Sequence, residues 1–163
     1  MVNPCGYIDP NCALINLEKL GLVIGRLSIV VAKVLAIRGA TTVPNNSITA
    51  IREAVLELLD NIESCNQVVS ADIVSVIFTA TRDLDAIFPA AIARERSYWS
   101  QVPLLDLQQM HVQDSLERCI RVLIYVNVTN PHLEINHVYL RNAKNLRPDL
   151  SLPIHFNQEI NLS

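Results

Sequence analysis

The strongest constraint on the fold of this chain is the segment "CIRVLIYVNV" at residues 119–128. Its even positions hold only isoleucine and valine, whereas its odd positions mix polar and apolar residues, among them Arg121 and Asn127. Because successive side chains of a strand point to opposite faces, this alternation predicts a β-strand with one wholly apolar face. Arg121 cannot lose its charge, and removing an unpaired guanidinium from water costs several kcal/mol. We therefore expect Arg121 to have a partner.

Length and charge restrict the class of protein. At 163 residues, half of them hydrophobic, the chain is long enough for one domain with a sizeable core and leaves little room for two. The formal net charge of -3 comes from dispersed charges and offers no basic surface for nucleic acid. We therefore expect no nucleic-acid partner.

Neither cysteines nor histidines predict a metal site. They show no C-x-x-C pair and no ligand spacing, and the residues concerned are Cys5, Cys12, Cys65, Cys119, His111, His132, His137 and His155. No glycine-rich phosphate-binding motif, H-E-x-x-H or G-x-S-x-G occurs, so we expect neither a cofactor nor a covalent nucleophile. We interpret His137, which stands just before a strand tyrosine, as structural.

The two ends of the chain differ from its centre. The N-terminal apolar run is interrupted by Arg26 and Lys33, which is typical of neither a signal peptide nor a membrane span. We interpret residues 1–30 as an extension that is disordered or not native, residues 31–152 as the folded domain and residues 153–163 as a tail. A cytoplasmic location without membrane contact is expected.

From residue 31 the order of elements predicts an α/β (α+β) domain. The helical spacing of apolar residues predicts one long helix over residues 47–65, with Asn46 or Ser47 as its N-cap. A short helix carries Pro89 in its first turn. Strands are expected at 31–39, 72–81, 102–110, 119–128 and 134–146. This predicts a mixed five-stranded sheet packed on one long helix, with an uncovered face that self-association would bury.

Arginines are the remaining candidates for chemistry. Arg38 and Arg121 lie inside otherwise apolar strands, while Arg94 lies in the short helix and Arg147 near the C-terminus. A single arginine in such a domain is usually a surface ion-pair partner. Two or three that converge would bind a small ligand with more than one carboxylate, because the guanidinium fork matches a carboxylate. The pattern favours a small dianion, whose binding needs no proton transfer.

Five blocks of sequence in order carry a family resemblance. They resemble the trimeric AroH class of chorismate mutase over about residues 34–152. The blocks are "IRGATTV" (37–43), "TRDLDAIFPAAIARE" (81–95), "VPLLDLQQMHV" (102–112), "LERCIRVLI" (116–124) and "HVYLRNAKNLRPDL" (137–150). The resemblance implies a homotrimer that closes into a pseudo-α/β barrel, with active sites at the subunit interfaces. It implies an isomerase that converts chorismate to prephenate by a Claisen rearrangement, for phenylalanine and tyrosine biosynthesis, without a cofactor or a metal.

The resemblance also implies roles for individual residues. Arg121 matches the cation that stabilises negative charge on the breaking ether oxygen, and Arg38 matches the arginine that grips a substrate carboxylate. Gln109 takes the place of a glutamate that accepts from the ring hydroxyl, and these three are the expected catalytic residues. The expected substrate-binding residues are these three together with Phe88, Ala90, Arg94, Leu104, Asp106, Tyr139, Leu146 and Arg147.

Three departures from the family pattern leave alternatives open. Besides Gln109, this chain has Asp106 in place of a cysteine and Ala91 in place of a lysine. One alternative is a weak homologue that binds chorismate, prephenate or another dicarboxylate with poor turnover. Another is a trimeric enamine or imine deaminase of similar shape, against which "IRGATTV" and "CIRVLI" argue. Turnover of chorismate distinguishes all three.

We predict that Asp106→Asn lowers turnover of chorismate much more than Gln109→Glu does. The reason is that Asp106 would restore, near Arg121, the carboxylate that is lost at residue 109. Steady-state rates of both variants, followed by the loss of chorismate absorbance, provide the measurement. Equal and small effects would remove Asp106 from the site.

Overall fold

The computed structural model describes residues 33–128 and 133–150, which form a mixed five-stranded sheet with one long helix. The elements are β1 (Lys33–Thr42), α1 (Ile48–Asn66), β2 (Ile73–Ala80), α2 (Pro89–Ala93), β3 (Leu104–Gln108), β4 (Cys119–Val128) and β5 (Val138–Tyr139). The strand order is β3-β2-β4-β1-β5. β4 pairs antiparallel with β1 and β2, while β3 and β5 are parallel additions at the edges. The predicted fold class is confirmed. The predicted extension at residues 1–30 and the tail at 153–163 lie outside the described residues.

Strand β4 has the two faces that its sequence predicts. The isoleucines and valines at its even positions are at most 6% exposed and belong to the same core as the apolar side of α1. Full burial of each such side chain contributes roughly 1.5–3 kcal/mol. We call this side of the sheet the helix face. The opposite side, the open face, carries Arg121, Leu123 and Tyr125 of β4, all half-buried, and the exposed Arg38 of β1.

Helix α1 begins where the sequence predicts. Ser47 is its N-cap, and the Ser47 Oγ accepts a hydrogen bond of 3.2 Å from the Ala50 N–H. Such a bond satisfies one of the amide groups that have no partner within the helix. The alternative cap, Asn46, instead accepts from the amides of Asp85 and Ala86 and so holds the segment before α2.

The predicted end of the first strand is wrong. β1 does not stop at Gly39 but continues to Thr42, which pairs with Cys119 at the start of β4. The reason is that β4 offers a partner for every residue of β1, from Lys33 to Thr42. The short helix, predicted over 83–99 from "DLDAIFPAAIARERSYW", is also too long, since only Pro89–Ala93 of that stretch are α-helical.

The last predicted strand is mostly wrong. Only Val138–Tyr139 of residues 134–146 are strand, and Arg141–Leu146 form a 3₁₀-helix. Arg141 has a φ of 50°, which turns the chain away from the sheet. Its guanidinium donates to Glu57 Oε2 of α1 at 2.6 and 2.9 Å and to the Thr42 carbonyl at 3.1 Å. Long-range ionic contacts therefore end the strand where the alternation of the sequence continues.

Gly39 sets how closely α1 approaches the sheet. A Cβ at this position would lie 2.7 Å from Ile62 Cδ1, 2.9 Å from Val122 Cγ1 and 3.2 Å from Leu58 Cδ1. The first two distances are too short for carbon atoms at any ordinary contact. Only glycine therefore fits between β4 and the helix.

We predict that Gly39→Ala lowers the free energy of unfolding by about 1–3 kcal/mol, the cost of overpacking a core. Ile62→Val removes the Cδ1 atom that would clash, so it should cost about 1 kcal/mol in the native chain and much less in the Gly39→Ala background. Urea unfolding of the two single variants and the double variant measures both terms. Additive costs would contradict a clash at Ile62.

Candidate active site

Strand pairing puts Arg121 in a row that crosses the open face. Thr79 of β2 and Ala40 of β1 are its direct partners, and Tyr139 of β5 pairs with Ala40. Residues paired in this way project from the same face of a sheet. Because neighbouring strands are about 4.8 Å apart, the backbones of Arg121 and Tyr139 lie about 10 Å apart, across the small side chain of Ala40. The row therefore has a cation and a phenol on either side of an alanine.

Three predicted site residues carry buried polar atoms that no protein group satisfies. These atoms are Gln109 Oε1, Arg121 Nε and the Tyr139 hydroxyl. Elsewhere in the described residues, Thr41 Oγ1 and Arg96 Nε are also buried without a hydrogen-bond partner. Buried polar groups in proteins are hydrogen-bonded with few exceptions, so each unsatisfied group calls for an explanation, such as a catalytic role or a bound ion. Within the described part of the chain, no carboxylate forms an ion pair with Arg121. An anionic partner for Arg121 is not supplied by these residues, which suits a binding site for an anion.

Arg38 lies two residues before Ala40 on the same face. Its side chain is exposed, and its main-chain N–H donates to His137 Nδ1 at 3.1 Å. Leu146 packs in a small apolar cluster with Ala40 and Tyr139. The structure thus brings Arg38, Arg121, Tyr139 and Leu146 to one side of the sheet. By alternation from Leu105 and Leu107, Gln109 faces the same side, and we call these five residues the open-face group.

Arg147 is already engaged within the chain. Its guanidinium makes an ion pair with Asp149, with Nη2 and Oδ2 2.7 Å apart, on the protein surface. The hydrogen bond to Asp149 raises the pKa of Arg147 and lowers the pKa of Asp149. Contact between Arg147 and a ligand would therefore require a change of partner.

The remaining predicted residues form a second group around α2. Asp106 Oδ1 accepts a hydrogen bond of 3.1 Å from the Ala90 N–H, which ties β3 to the start of α2. Burial raises the pKa of Asp106, and the opposing effects of the Ala90 bond and of Arg94 are smaller. Phe88 is 71% exposed and, with Asp106, lines a groove of about 600 Å³. We call Phe88, Ala90, Arg94, Leu104 and Asp106 the α2 group.

The two groups lie on opposite faces of the sheet within one chain. Asp106 pairs with Phe78, which is fully buried on the helix face, whereas Arg121 projects from the open face. The structure therefore does not bring Asp106 next to Arg121 in the same chain, and the cation that lowers the pKa of Asp106 is Arg94. The predicted effect of Asp106→Asn on turnover remains a prediction, but its reason would have to involve the α2 group or a second subunit.

Two neighbours of the site were not predicted from the sequence. Cys119, fully buried, lies on the open face two residues before Arg121. Burial raises the pKa of the Cys119 thiol, and the contact with Arg121 offsets this only in part. His137, which was interpreted as structural, accepts a hydrogen bond from the main-chain N–H of Arg38. The available signal was alternation, since His137 shares a strand face with Tyr139.

The described ranges contain neither a metal-binding cluster nor a membrane-spanning helix. Residues 33–128 and 133–150 contain no group of three or more His, Cys, Asp or Glu side chains that could hold a metal ion. None of the helices in these ranges is both long and apolar enough to cross a membrane.

Comparison with known proteins identifies a family. The family model for chorismate mutase type I matches residues 34–150. The chain is 43% identical over 116 residues to chorismate mutase AroH of Bacillus subtilis, covering 71% of this chain and 91% of that protein. It is 44% identical over 115 residues to chorismate mutase AroH of Thermus thermophilus, covering 70% and 93%.

A solved structure agrees with the sequence comparisons. A chorismate mutase from Clostridium thermocellum aligns with a TM-score of 0.65 and 42% identity, covering 68% of this chain and 98% of that one. The alignments therefore span nearly the whole of each relative. On the family match and these identities, the chain belongs to the chorismate mutase type I family.

Proposed function

We propose that this chain catalyses the rearrangement of chorismate to prephenate, with Arg121 as the central catalytic cation. The observation that carries the proposal is the position of Arg121: a half-buried guanidinium on the open face, in a row with Tyr139, with an unsatisfied Nε. Family membership and the relatives at 43% and 44% identity support the same activity.

The reaction suits a site of fixed cations. As the ether bond of chorismate breaks, negative charge collects on its oxygen, so a fixed cation aimed there binds the transition state better than the ground state. Strands on both sides hold the Arg121 backbone, and such a preorganised group needs little rearrangement at the moment of reaction. The rearrangement is pericyclic, so it requires no general base and no covalent intermediate.

The other members of the open-face group have binding roles in this proposal. Arg38 holds a substrate carboxylate, and Tyr139 bonds to the substrate from the same side through its unsatisfied hydroxyl. Gln109 offers its free Oε1 to the ring hydroxyl of the substrate. A glutamine there keeps the acceptor but gives up one negative charge, which reduces electrostatic support for Arg121.

The α2 group completes the site from a neighbouring subunit in this proposal. Within one chain the two groups lie on opposite faces, so one subunit does not bring them into the same pocket. A surface for association is formed by the exposed apolar side chains along and beyond β3, namely Leu105, Leu107, Met110 and Val112. We therefore propose a homotrimer in which Phe88, Ala90 and Leu104 form the apolar wall and Arg94 and Arg147 are peripheral cations.

Replacement of the central cation tests the activity. Arg121→Ala should lower kcat/KM for chorismate by about 10²-fold to 10³-fold, which corresponds to roughly 3–4 kcal/mol of transition-state stabilisation. The measurement is the loss of chorismate absorbance with purified protein. Arg52→Ala is the matched control, because Arg52 of α1 makes a surface ion pair with Glu95, which follows α2, and its loss should leave the rate unchanged.

Several outcomes would contradict this assignment. Equal rates for the native chain and Arg121→Ala would exclude Arg121 as the catalytic cation. A native chain that binds chorismate without consuming it would instead favour the weak, binding-only homologue. If the native chain neither consumes nor binds chorismate, the proposed substrate is rejected.

Complementation tests whether the site is shared between subunits. Arg121→Ala disables the open-face group and Arg94→Glu the α2 group, so each variant alone should be strongly impaired. If neighbouring subunits supply the two groups, mixed trimers of the two variants should regain about a quarter of the native sites. Light scattering should give three times the mass of one chain. No recovery after demonstrated subunit exchange would contradict a shared site.

A further inference from the structure

The backbone around His137 is held from both sides. Before it, the buried Asn66 side chain of α1 donates to the Asn136 carbonyl at 2.9 Å and accepts from the Asn136 N–H at 2.7 Å. After it, Val138 pairs with Gly39 and Tyr139 with Ala40. The imidazole of His137 therefore projects from a fixed point beside β1.

The imidazole of His137 accepts a hydrogen bond from β1 at the position just before β5 begins. The parallel pairing of β1 with β5 covers only Gly39 and Ala40, and the preceding N–H of β1, that of Arg38, donates to His137 Nδ1 at 3.1 Å. An imidazole nitrogen can accept only when it carries no proton, so this bond requires neutral His137 with its proton on Nε2. The side chain thus substitutes for a main-chain carbonyl at the position of the substrate-gripping arginine.

We propose that neutral His137 is a positioning residue, which holds the Arg38 main chain so that the Arg38 guanidinium meets the substrate carboxylate. The inference rests on the proposed function, because it assigns His137 through the binding role of Arg38. Protonation would replace the acceptor with a donor that faces the Arg38 N–H. Binding of the dianion should therefore depend on pH through a residue that does not touch it.

The charges around His137 agree with this role. The groups that face it are Arg38 of β1 and Arg147, which follows the 3₁₀-helix Arg141–Leu146. Burial, and then the charges of Arg38 and Arg147, lower the pKa of His137 below its usual 6.5. Because the folded-state pKa is lowered, the contribution of the hydrogen bond is complete above pH 6.5 and is lost as the pH falls through the folded-state pKa. Native protein should therefore bind substrate more weakly in acid.

Two variants of His137 distinguish the contribution of its hydrogen-bond acceptor from that of its aromatic ring. His137→Asn keeps an acceptor near the position of Nδ1 but does not titrate, whereas His137→Phe keeps a ring and has no acceptor. Arg52→Ala is the control, because Arg52 of α1 lies outside both residue groups of the site and outside the proposed association surface. Initial rates on chorismate between about pH 5 and pH 8 give KM and kcat for each protein.

We expect KM to rise in the variant that lacks an acceptor at position 137 and to stay near the native value in the variant that keeps one. At neutral pH, His137→Phe should raise KM about threefold to tenfold, the effect of one net hydrogen bond, with little change in kcat. His137→Asn should have a KM near that of the native chain and should lose the rise in KM in acid, while Arg52→Ala should behave as the native chain does. A larger KM for His137→Asn than for His137→Phe would show that the ring matters and the acceptor does not, and would overturn the inference.

A double-variant cycle tests whether His137 acts through Arg38. In an Arg38→Ala background the Phe and Asn variants should have the same KM, because the guanidinium to be positioned is absent. An undiminished difference between them in that background would overturn the inference. Urea unfolding at neutral pH identifies any change in KM that arises from a loss of folded protein.

Direct binding keeps the inference separate from the proposed function. Calorimetric titration of chorismate into Arg121→Ala protein, in which turnover is slow, gives Kd with each residue at position 137. If the native chain shows no turnover but Kd still depends on whether residue 137 carries an acceptor, the inference is supported while the proposed function fails. Turnover by the native chain, with Kd indifferent to residue 137 and to pH, would overturn the inference alone.

Discussion

The proposed site depends on a charged residue held in the central strand of a sheet that is covered on one face. β4 is bonded on both sides and buries its even-numbered isoleucines and valines against the helix face. This apolar face offsets the several kcal/mol that a desolvated guanidinium costs on the other. Because the backbone is fixed along its length, Arg121 leaves the sheet at a defined point. A cation that is already in place when charge develops is what the proposed reaction needs.

The two small residues in "IRGATT" serve different faces of the same strand. Gly39 lies against Ile62 and Val122, where a Cβ would push α1 away from the sheet. Ala40, one residue on, separates Arg121 from Tyr139 on the open face. A short sequence therefore sets both the depth of the core and the spacing of the site. Both requirements are steric. A larger residue at position 39 would lower stability because it faces the core, whereas a larger residue at position 40 would affect binding because it faces the site.

The α2 group is anchored independently of the open-face group. Asp106 holds the start of α2 through the Ala90 amide. Beyond α2, the buried Trp99 donates through Nε1 to Glu63 Oε1 of α1 at 2.9 Å, and Arg96 makes an ion pair with the same glutamate. These contacts attach α2 to the main helix rather than to Arg121. Two separately supported groups on opposite faces are consistent with the proposal that subunits join them.

The sequence by itself determined the elements with strong periodicity and the residue types of the site. Alternation in "CIRVLIYVNV" and helical spacing in α1 report burial of one face, which is a local property of each element. Only the tertiary structure decided where β1 and β5 end, because partners in β4 and the contacts of Arg141 with Glu57 and Thr42 are distant in sequence. It also decided that Asp106 and Arg121 face opposite ways and that His137 bonds to Arg38, since both depend on which strands become neighbours. The hydrophobic pattern of a strand specifies which of its faces is buried, whereas its neighbours in the sheet are set by the whole fold.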